Sequence, residues 1–234
     1  MKQEYDQGFY EKRRSRTLPA ARQILQIVRQ KVPFQSVADF GCGTGTWLSA
    51  ALELGAENVT GFEGKWLRRE MVDDPRIALN LLDLEQRISL ERPVDLAISL
   101  EVAEHLSEGR ASTFVEDLCA ASDVVLFSAA VPNQGGRGHV NEQWQSYWAD
   151  LFLRKGYRGY DLVRPQIWGD EAIRYWYQQN TMLFIKVGSE PGDMRDTQRE
   201  PYQMDMIHRE LYQRMESRLP LERLKKVWQR VAGR

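Results

Sequence analysis

The sequence predicts an α/β fold in which a mostly parallel sheet is covered by helices on both faces. Three observations predict it. Short apolar runs, SVADF, NVTGFE, RIALNLLD, VDLAISLE and VVLFSAA, alternate with segments of helical periodicity. Each run is apolar enough to be covered on both sides, as strands of a parallel sheet are. Three closely spaced glycines separate the first run from the helix after it, so the chain turns sharply at that strand's carboxyl end.

Taken in order, Leu18, Ala21, Leu25 and Val28 recur at helical spacing after Thr17, which suits an N-cap, and Pro33 stops that helix. Ser36 to Phe40 reads as a buried strand. The helix beyond the glycines carries Trp47, Leu48, Ala51 and Leu54 and ends at Gly55, a residue suited to a left-handed C-terminal position. Further strands follow, then a helix through Phe114, Leu118 and Cys119, and another through Trp144, Tyr147, Trp148, Leu151 and Phe152 that stops at Gly156. YRGYDLV and TMLFIKV are expected as a closing hairpin at the sheet edge, making seven strands. From Ser189 the hydrophilic stretch SEPGDMRDTQREP reads as a linker. Beyond it Met204, Ile207, Leu211 and Met215 share one helical face, and Leu221, Leu224, Trp228 and Val231 share another after Pro220. The expected organisation is a domain over 1–188, whose first 34 residues form a helical lid, and a helical C-terminal extension over 189–234. That extension either folds back onto the domain or forms a homodimer or partner contact.

Composition narrows the function. With 32 Lys+Arg against 33 Asp+Glu the formal net charge is −1, so the protein is not expected to coat nucleic acid. Cys42 and Cys119 make neither a disulfide scaffold nor a zinc ribbon, which favours a reducing, cytoplasmic setting. The polar N-terminus does not read as a signal peptide, and no apolar run is long enough to predict a membrane span.

The turn Asp39-Phe40-Gly41-Cys42-Gly43-Thr44-Gly45 offers side-chain-free backbone and a helix N-terminus, where a ligand can approach closely. It is not a dinucleotide fingerprint: the third glycine of G-x-G-x-x-G is Thr46 in one register and Leu48 in the other. No Lys-Ser or Lys-Thr follows, so a P-loop is excluded as well. The turn DFGCGTG resembles the first motif of the class I S-adenosylmethionine (SAM)-dependent methyltransferases, over roughly residues 8–188. A Rossmann-like seven-stranded fold, the SAM cofactor and methyl transfer are what the resemblance implies. It implies that Gly41, Gly43 and Gly45 make room for the cofactor and that Asp39 supports the turn or meets the methionine ammonium through water. It also implies that Glu63 accepts the ribose hydroxyls, that Asp83 and Leu84 meet the adenine, and that Leu100 and Glu101 floor the cleft. Tyr5, Phe9, Tyr10, Arg13, Arg14 and Arg16 form either a lid over the cofactor or a solvated helix end.

Methyl transfer needs an aligned nucleophile and, for a hydroxyl, a proton acceptor, so His105 and His139 are the candidate catalytic bases. His208 reads as a surface residue. The loop VPNQGGRGHVNEQW, made mobile by Gly135, Gly136 and Gly138, is expected to hold substrate through Asn141 and Glu142. Trp168, Tyr175, Trp176 and Tyr177 add aromatic faces, of which Trp176 and Tyr177 are the candidate acceptor contacts, or they pack at the sheet edge. With Asn141 and Glu142 they suit a small-molecule or glycan acceptor, as in the small bacterial glycan and secondary-metabolite methyltransferases that the second half resembles. Glu101, Glu104 and His105 stand at i, i+3 and i+4, one face if helical, and with His139 they resemble the E-x-x-E-H plus distant His of the small-RNA 2′-O-methyltransferases, which implies a divalent metal. Otherwise Glu101 bonds cofactor or backbone and a histidine is an ordinary base. O-methylation of a small-molecule or sugar hydroxyl is the expected activity; an N- or protein methyltransferase and a non-catalytic cofactor-binding subunit are the alternatives.

Overall fold

The computed structural model describes the backbone of residues 7–192 and 194–218 and the side chains from Thr17 onward in those ranges. Both the aromatic and basic lid residues near the N-terminus and the stripe from Leu221 to Val231 lie outside the described side chains. Helix α1 (Gln7–Lys31) is followed by β1 (Ser36–Phe40), α2 (Thr46–Glu53), β2 (Asn58–Glu63), β3 (Ala78–Leu81) and β4 (Leu96–Leu100). Then come α3 (Glu108–Ala121), β5 (Val124–Ser128), α4 (Gln145–Arg154), β6 (Tyr157–Tyr160), α5 (Arg164–Ile167), α6 (Tyr175–Asn180) and β7 (Met182–Lys186). β8 (Gln198–Arg199) and α7 (Arg209–Arg218) complete the described elements. Thr17 is no N-cap, because α1 starts at Gln7 and carries Pro19 inside it. Burial of Ala20, Ala21, Ile24, Leu25 and Val28 against the core holds the helix together past the proline.

The sheet has the order β3-β2-β1-β4-β5-β7-β6-β8, with β1 to β5 parallel and β7, β6 and β8 joined in antiparallel fashion. Chain order reverses between β1 and β4, and a doubly wound sheet opens its ligand crevice at the carboxyl ends of the strands on either side of such a reversal. The glycine turn follows β1 and Glu101 follows β4, so both border that crevice. Alternation along the strands feeds two cores: Val37, Leu96, Ile98, Leu126 and Ile185 face α1 and α2, and Ala38, Phe40, Ala97, Phe127 and Phe184 face α3 and α4. On the second face Phe152 stacks on Phe184 at 4.0 Å.

The expected seven strands are eight among the described residues, and the eighth comes from the stretch read as a linker. Gln198 and Arg199 pair with Tyr160 and Gly159. Met194, Met204 and Leu211 are buried, and Met204 Cε lies 2.1 Å from where a Cβ on Gly159 would stand, filling the space that glycine leaves. The expected stripe also splits, since α7 starts only at Arg209 and Met204 and Ile207 precede it. Buried amides account for the extended path: Gln145 Nε2 donates to Met206 O at 2.9 Å and His208 N donates to Gln179 Oε1 at 2.7 Å, satisfying backbone that a helix would have satisfied itself. The bidentate pair Arg164–Asp161 is buried too, and Arg164 Nη1 donates to Met204 O at 2.8 Å. The hairpin of β6 and β7 forms, but β7 lies inside the sheet and β8 takes the edge. Among the described residues no helix is long and apolar enough to cross a membrane.

Candidate active site

The three motif glycines all have positive φ, at +91°, +54° and +85°, but they serve different ends. A Cβ on Gly41 would fall 2.4 Å from Val102 and one on Gly45 would fall 2.6 Å from Ile77, so these two are small because protein packs on them. Gly43 alone of the three faces open space, with nothing within 4 Å of its Cβ position. The turn is locked by Glu63, whose Oε2 accepts from Gly43 N at 2.7 Å and whose Oε1 accepts from Gly64 N at 2.8 Å and Trp66 Nε1 at 3.1 Å. A carboxylate has roughly four lone-pair sites, so Glu63 retains accepting capacity at the strand end. Nothing in the sequence pattern pointed to Trp66.

Asp39 is buried beneath the turn, and its Oδ2 has no hydrogen-bond partner among the described residues. Burial, with the Glu63 charge nearby, pushes its carboxyl well above the usual range. Cys42 is likewise held as a thiol by burial, so the turn offers no thiolate nucleophile. Asp83 is exposed two residues beyond β3 and its Oδ1 accepts from Glu85 N at 3.1 Å, forming an Asx turn. Leu84, beside it, is half-buried, and its carbonyl accepts from Arg110 Nε at 2.9 Å; Arg110 in turn is paired inside the core with Asp117. Leu100 is buried at the end of β4.

Glu101, Glu104 and His105 do not share a helix. Glu101 has φ +58°, a left-handed residue that breaks any helix, and only Ala103–His105 forms a 3₁₀ turn before α3 begins at Glu108. The 3₁₀ turn instead meets the loop after β5. Val140 N and Asn141 N both donate to Glu104 O, at 2.9 and 3.0 Å, which draws His139 over Glu104. Among the described residues Glu104, His105 and His139 each offer a ligand atom within 4.8 Å of the others. Glu101 stands apart from that cluster, its carboxylate accepting from Gln134 Nε2 at 2.8 Å and Asn180 Nδ2 at 3.1 Å.

Glu104 is buried, its Oε1 3.9 Å from His139 Nε2 and its Oε2 without a hydrogen-bond partner among the described residues. Burial, reinforced by the charge on Glu101, raises its pKa well above that of a free carboxylate. Burial raises Glu101 too, against the pull of its amide donors. His139 Nδ1 lies 2.8 Å from Glu142 Oε1, which leaves Nε2 turned toward Glu104. Glu142 also accepts from Asn133 N and Gly135 N, at 2.8 and 2.9 Å, so it orients the histidine and its loop from behind. Asn141 is buried, its Oδ1 accepting from Gln143 Nε2 at 3.0 Å. Neither Asn141 nor Glu142 lines the cavity over the cluster, which has a volume of about 650 Å³ and is walled by Trp176 and Tyr177. The loop's glycines do more than supply mobility: a Cβ on Gly136 would fall 2.0 Å from His139 Nε2, so backbone lies directly against the imidazole. Trp168 and Tyr175 pack around the half-buried His208, whose pKa burial lowers.

No family profile matches the chain. Over 77 residues, 31% of its length, the chain is 35% identical to the ribosomal protein L11 methyltransferase of Shewanella baltica. It spans only 25% of that relative's length. Among solved structures, Streptomyces venezuelae DesVI superposes with a TM-score of 0.54 and 15% identity, covering 73% of this chain and 92% of that one. Human N-acetylserotonin methyltransferase in complex with SAM gives 0.52 and 14% identity, covering 77% of this chain and 56% of that one. The chain thus has the Rossmann-like fold of these methyltransferases.

Proposed function

We propose that the chain is a SAM-dependent methyltransferase acting on a hydroxyl of a small-molecule or sugar acceptor, with Glu104, His105 and His139 holding a divalent metal ion beside the acceptor. One observation carries the metal reading. A buried carboxylate oxygen without a donor costs about 1–3 kcal/mol or more, and Glu104 Oε2 is such an atom among the described residues, on a carboxylate whose Oε1 lies 3.9 Å from His139 Nε2 and which clusters with both imidazoles at the floor of a cavity. A cation held by that carboxylate would oppose the burial and the Glu101 charge that raise its pKa. Two imidazoles suit manganese, iron, nickel or zinc better than magnesium. The hydrogen bond that Glu142 accepts from His139 Nδ1 is the kind of outer support that fixes a ligating histidine.

The donor side follows from the crevice. Open space at Gly43 admits the cofactor, the remaining accepting site of Glu63 suits a ribose hydroxyl, and the unpartnered Oδ2 of Asp39 suits an ammonium, directly or through water. The fold relatives, one of them in complex with SAM, support the same cofactor. In the transfer the acceptor oxygen attacks the methyl carbon in line, the carbon–sulfur bond breaks toward sulfur, and S-adenosylhomocysteine leaves. Tyr177 and Trp176 wall the space in which that oxygen must be aligned. When bound, a divalent ion lowers the pKa of a hydroxyl in contact with it. A second reading rests on the same contact: His139, oriented through Nδ1 by Glu142, takes the acceptor proton on Nε2 with His105 beside it.

Manganese binding followed by calorimetry separates the two readings without needing the acceptor. The metal reading expects a site that Glu104→Gln and His139→Ala each weaken by at least about tenfold. Manganese bound equally by wild type and both variants overturns it and leaves the histidine base.

A further inference from the structure

The mouth of the cavity has a charge opposite to that of its floor. Arg137, Arg174, Arg214 and Arg218 line it above Glu101 and Glu104. They come from three separate segments: the loop after β5, the residue that caps α6, and α7. Two are held in place by aromatic faces. The Arg174 guanidinium lies 5.6 Å from the Trp176 ring centroid, and that of Arg214 lies 5.1 Å from the Tyr175 ring centroid. A guanidinium stacked in this way directs its N–H edge sideways, where a bidentate oxyanion can meet it. Arg218 Nη1 donates to Asn133 O at 3.5 Å, a long bond that positions the side chain without saturating its donors. Arg214 Nε and Nη2 donate to Glu210 Oε1 at 3.1 and 2.6 Å, an ion pair about half exposed at both ends and readily exchanged for a better acceptor.

From this, and resting on the methyltransferase reading above, we infer that the acceptor carries a phosphate group, which seats among Arg174, Arg214 and Arg218 at the mouth while its hydroxyl reaches the Glu104–His105–His139 floor. A phosphate monoester offers three terminal oxygens and close to two negative charges, a better match for several converging guanidiniums than a single carboxylate. The cavity, about 650 Å³, suits one small phosphorylated molecule. An extended polyanion would need a basic track beyond the mouth, and a formal net charge of −1 supplies little excess for one. Helix α7, anchored by the buried Leu211, brings Arg214 and Arg218 to the acceptor.

The test is calorimetry at low ionic strength, without added metal and with S-adenosylhomocysteine saturating. Glucose 6-phosphate is titrated against glucose, glucuronate and a short ribo-oligonucleotide, using wild type and the Arg174→Ala/Arg218→Ala double variant. Glucose 6-phosphate is expected to bind more tightly than the other three, and the double variant to lose about tenfold or more in that affinity while S-adenosylhomocysteine binds it as before. With S-adenosylhomocysteine bound, no heat from glucose 6-phosphate, equal affinity in the double variant, or preference for glucuronate or the oligonucleotide overturns this inference alone. If S-adenosylhomocysteine itself gives no heat, the methyltransferase reading falls and this inference falls with it.

Discussion

At the scale of single residues, the site depends on atoms that sit closer than a side chain allows. Gly136 is the sharpest case: any Cβ there meets His139 Nε2, so Gly136→Ala must push the imidazole off Glu104. A displacement of about 1 Å at a reacting group costs on the order of 10²-fold in rate, and the loop is exposed, so turnover should collapse while the melting temperature stays near wild type. Steady-state kinetics beside thermal melts check this. Asp39 makes a prediction about pH. Its folded pKa is raised by burial above the unfolded value of 3.8, so its contribution to stability is fully present below that value and is lost as pH rises through the folded pKa. Asp39→Asn removes the penalty, and its melting temperature should exceed wild type at neutral pH, with the gap closing in acid. Affinity for S-adenosylhomocysteine should fall in the same variant, because an amide puts an NH2 group and no charge where the carboxylate would meet the ammonium. A melting temperature below wild type at neutral pH counts against the buried, partnerless carboxylate.

At the scale of elements, the segment after β7 belongs to the sheet rather than hanging from it. Met204 fills the hollow over Gly159, and Met→Ala in such a core position costs about 2–5 kcal/mol. Denaturant unfolding of Met204→Ala should show that loss, and a chain ending at residue 188, lacking β8 and the buried Met194, Met204 and Leu211, should lose cooperative unfolding. A soluble, cooperatively folded 1–188 fragment would contradict this account of the edge. The sequence showed β1 to β5 and the glycine turn because their signals are local: apolar runs, alternation and φ > 0 positions lie within a few residues of one another. It hid β8, whose two residues carry no periodicity, and it suggested a helix from Met204 because it could not show Gln145 and Gln179 capturing that backbone from sequence distances of 61 and 29 residues. The helix that would put Glu101, Glu104 and His105 on one face does not form, for a related reason. Spacing alone does not reveal the left-handed turn at Glu101, which forms where its carboxylate is met by Gln134 and Asn180 from other segments.

At the scale of the whole molecule, one crevice gathers the chemistry. The reversal of strand order between β1 and β4 sets the glycine turn and Glu101 at neighbouring strand ends, Glu101 also lines the cavity over Glu104, His105 and His139, and buried amides carry the C-terminal segment back to the mouth of that cavity. Glu63, which fastens Gly43 and keeps one accepting site for a ligand, links the turn's shape to its occupant. The central claim is that this crevice binds SAM, and titration calorimetry with S-adenosylhomocysteine and NAD tests it most directly. The account predicts a single site for S-adenosylhomocysteine, weakened in Glu63→Ala by roughly 1.5–3 kcal/mol as befits hydrogen bonds to a charged group, and no heat from NAD. A silent titration with S-adenosylhomocysteine, or tight binding of NAD, would contradict it.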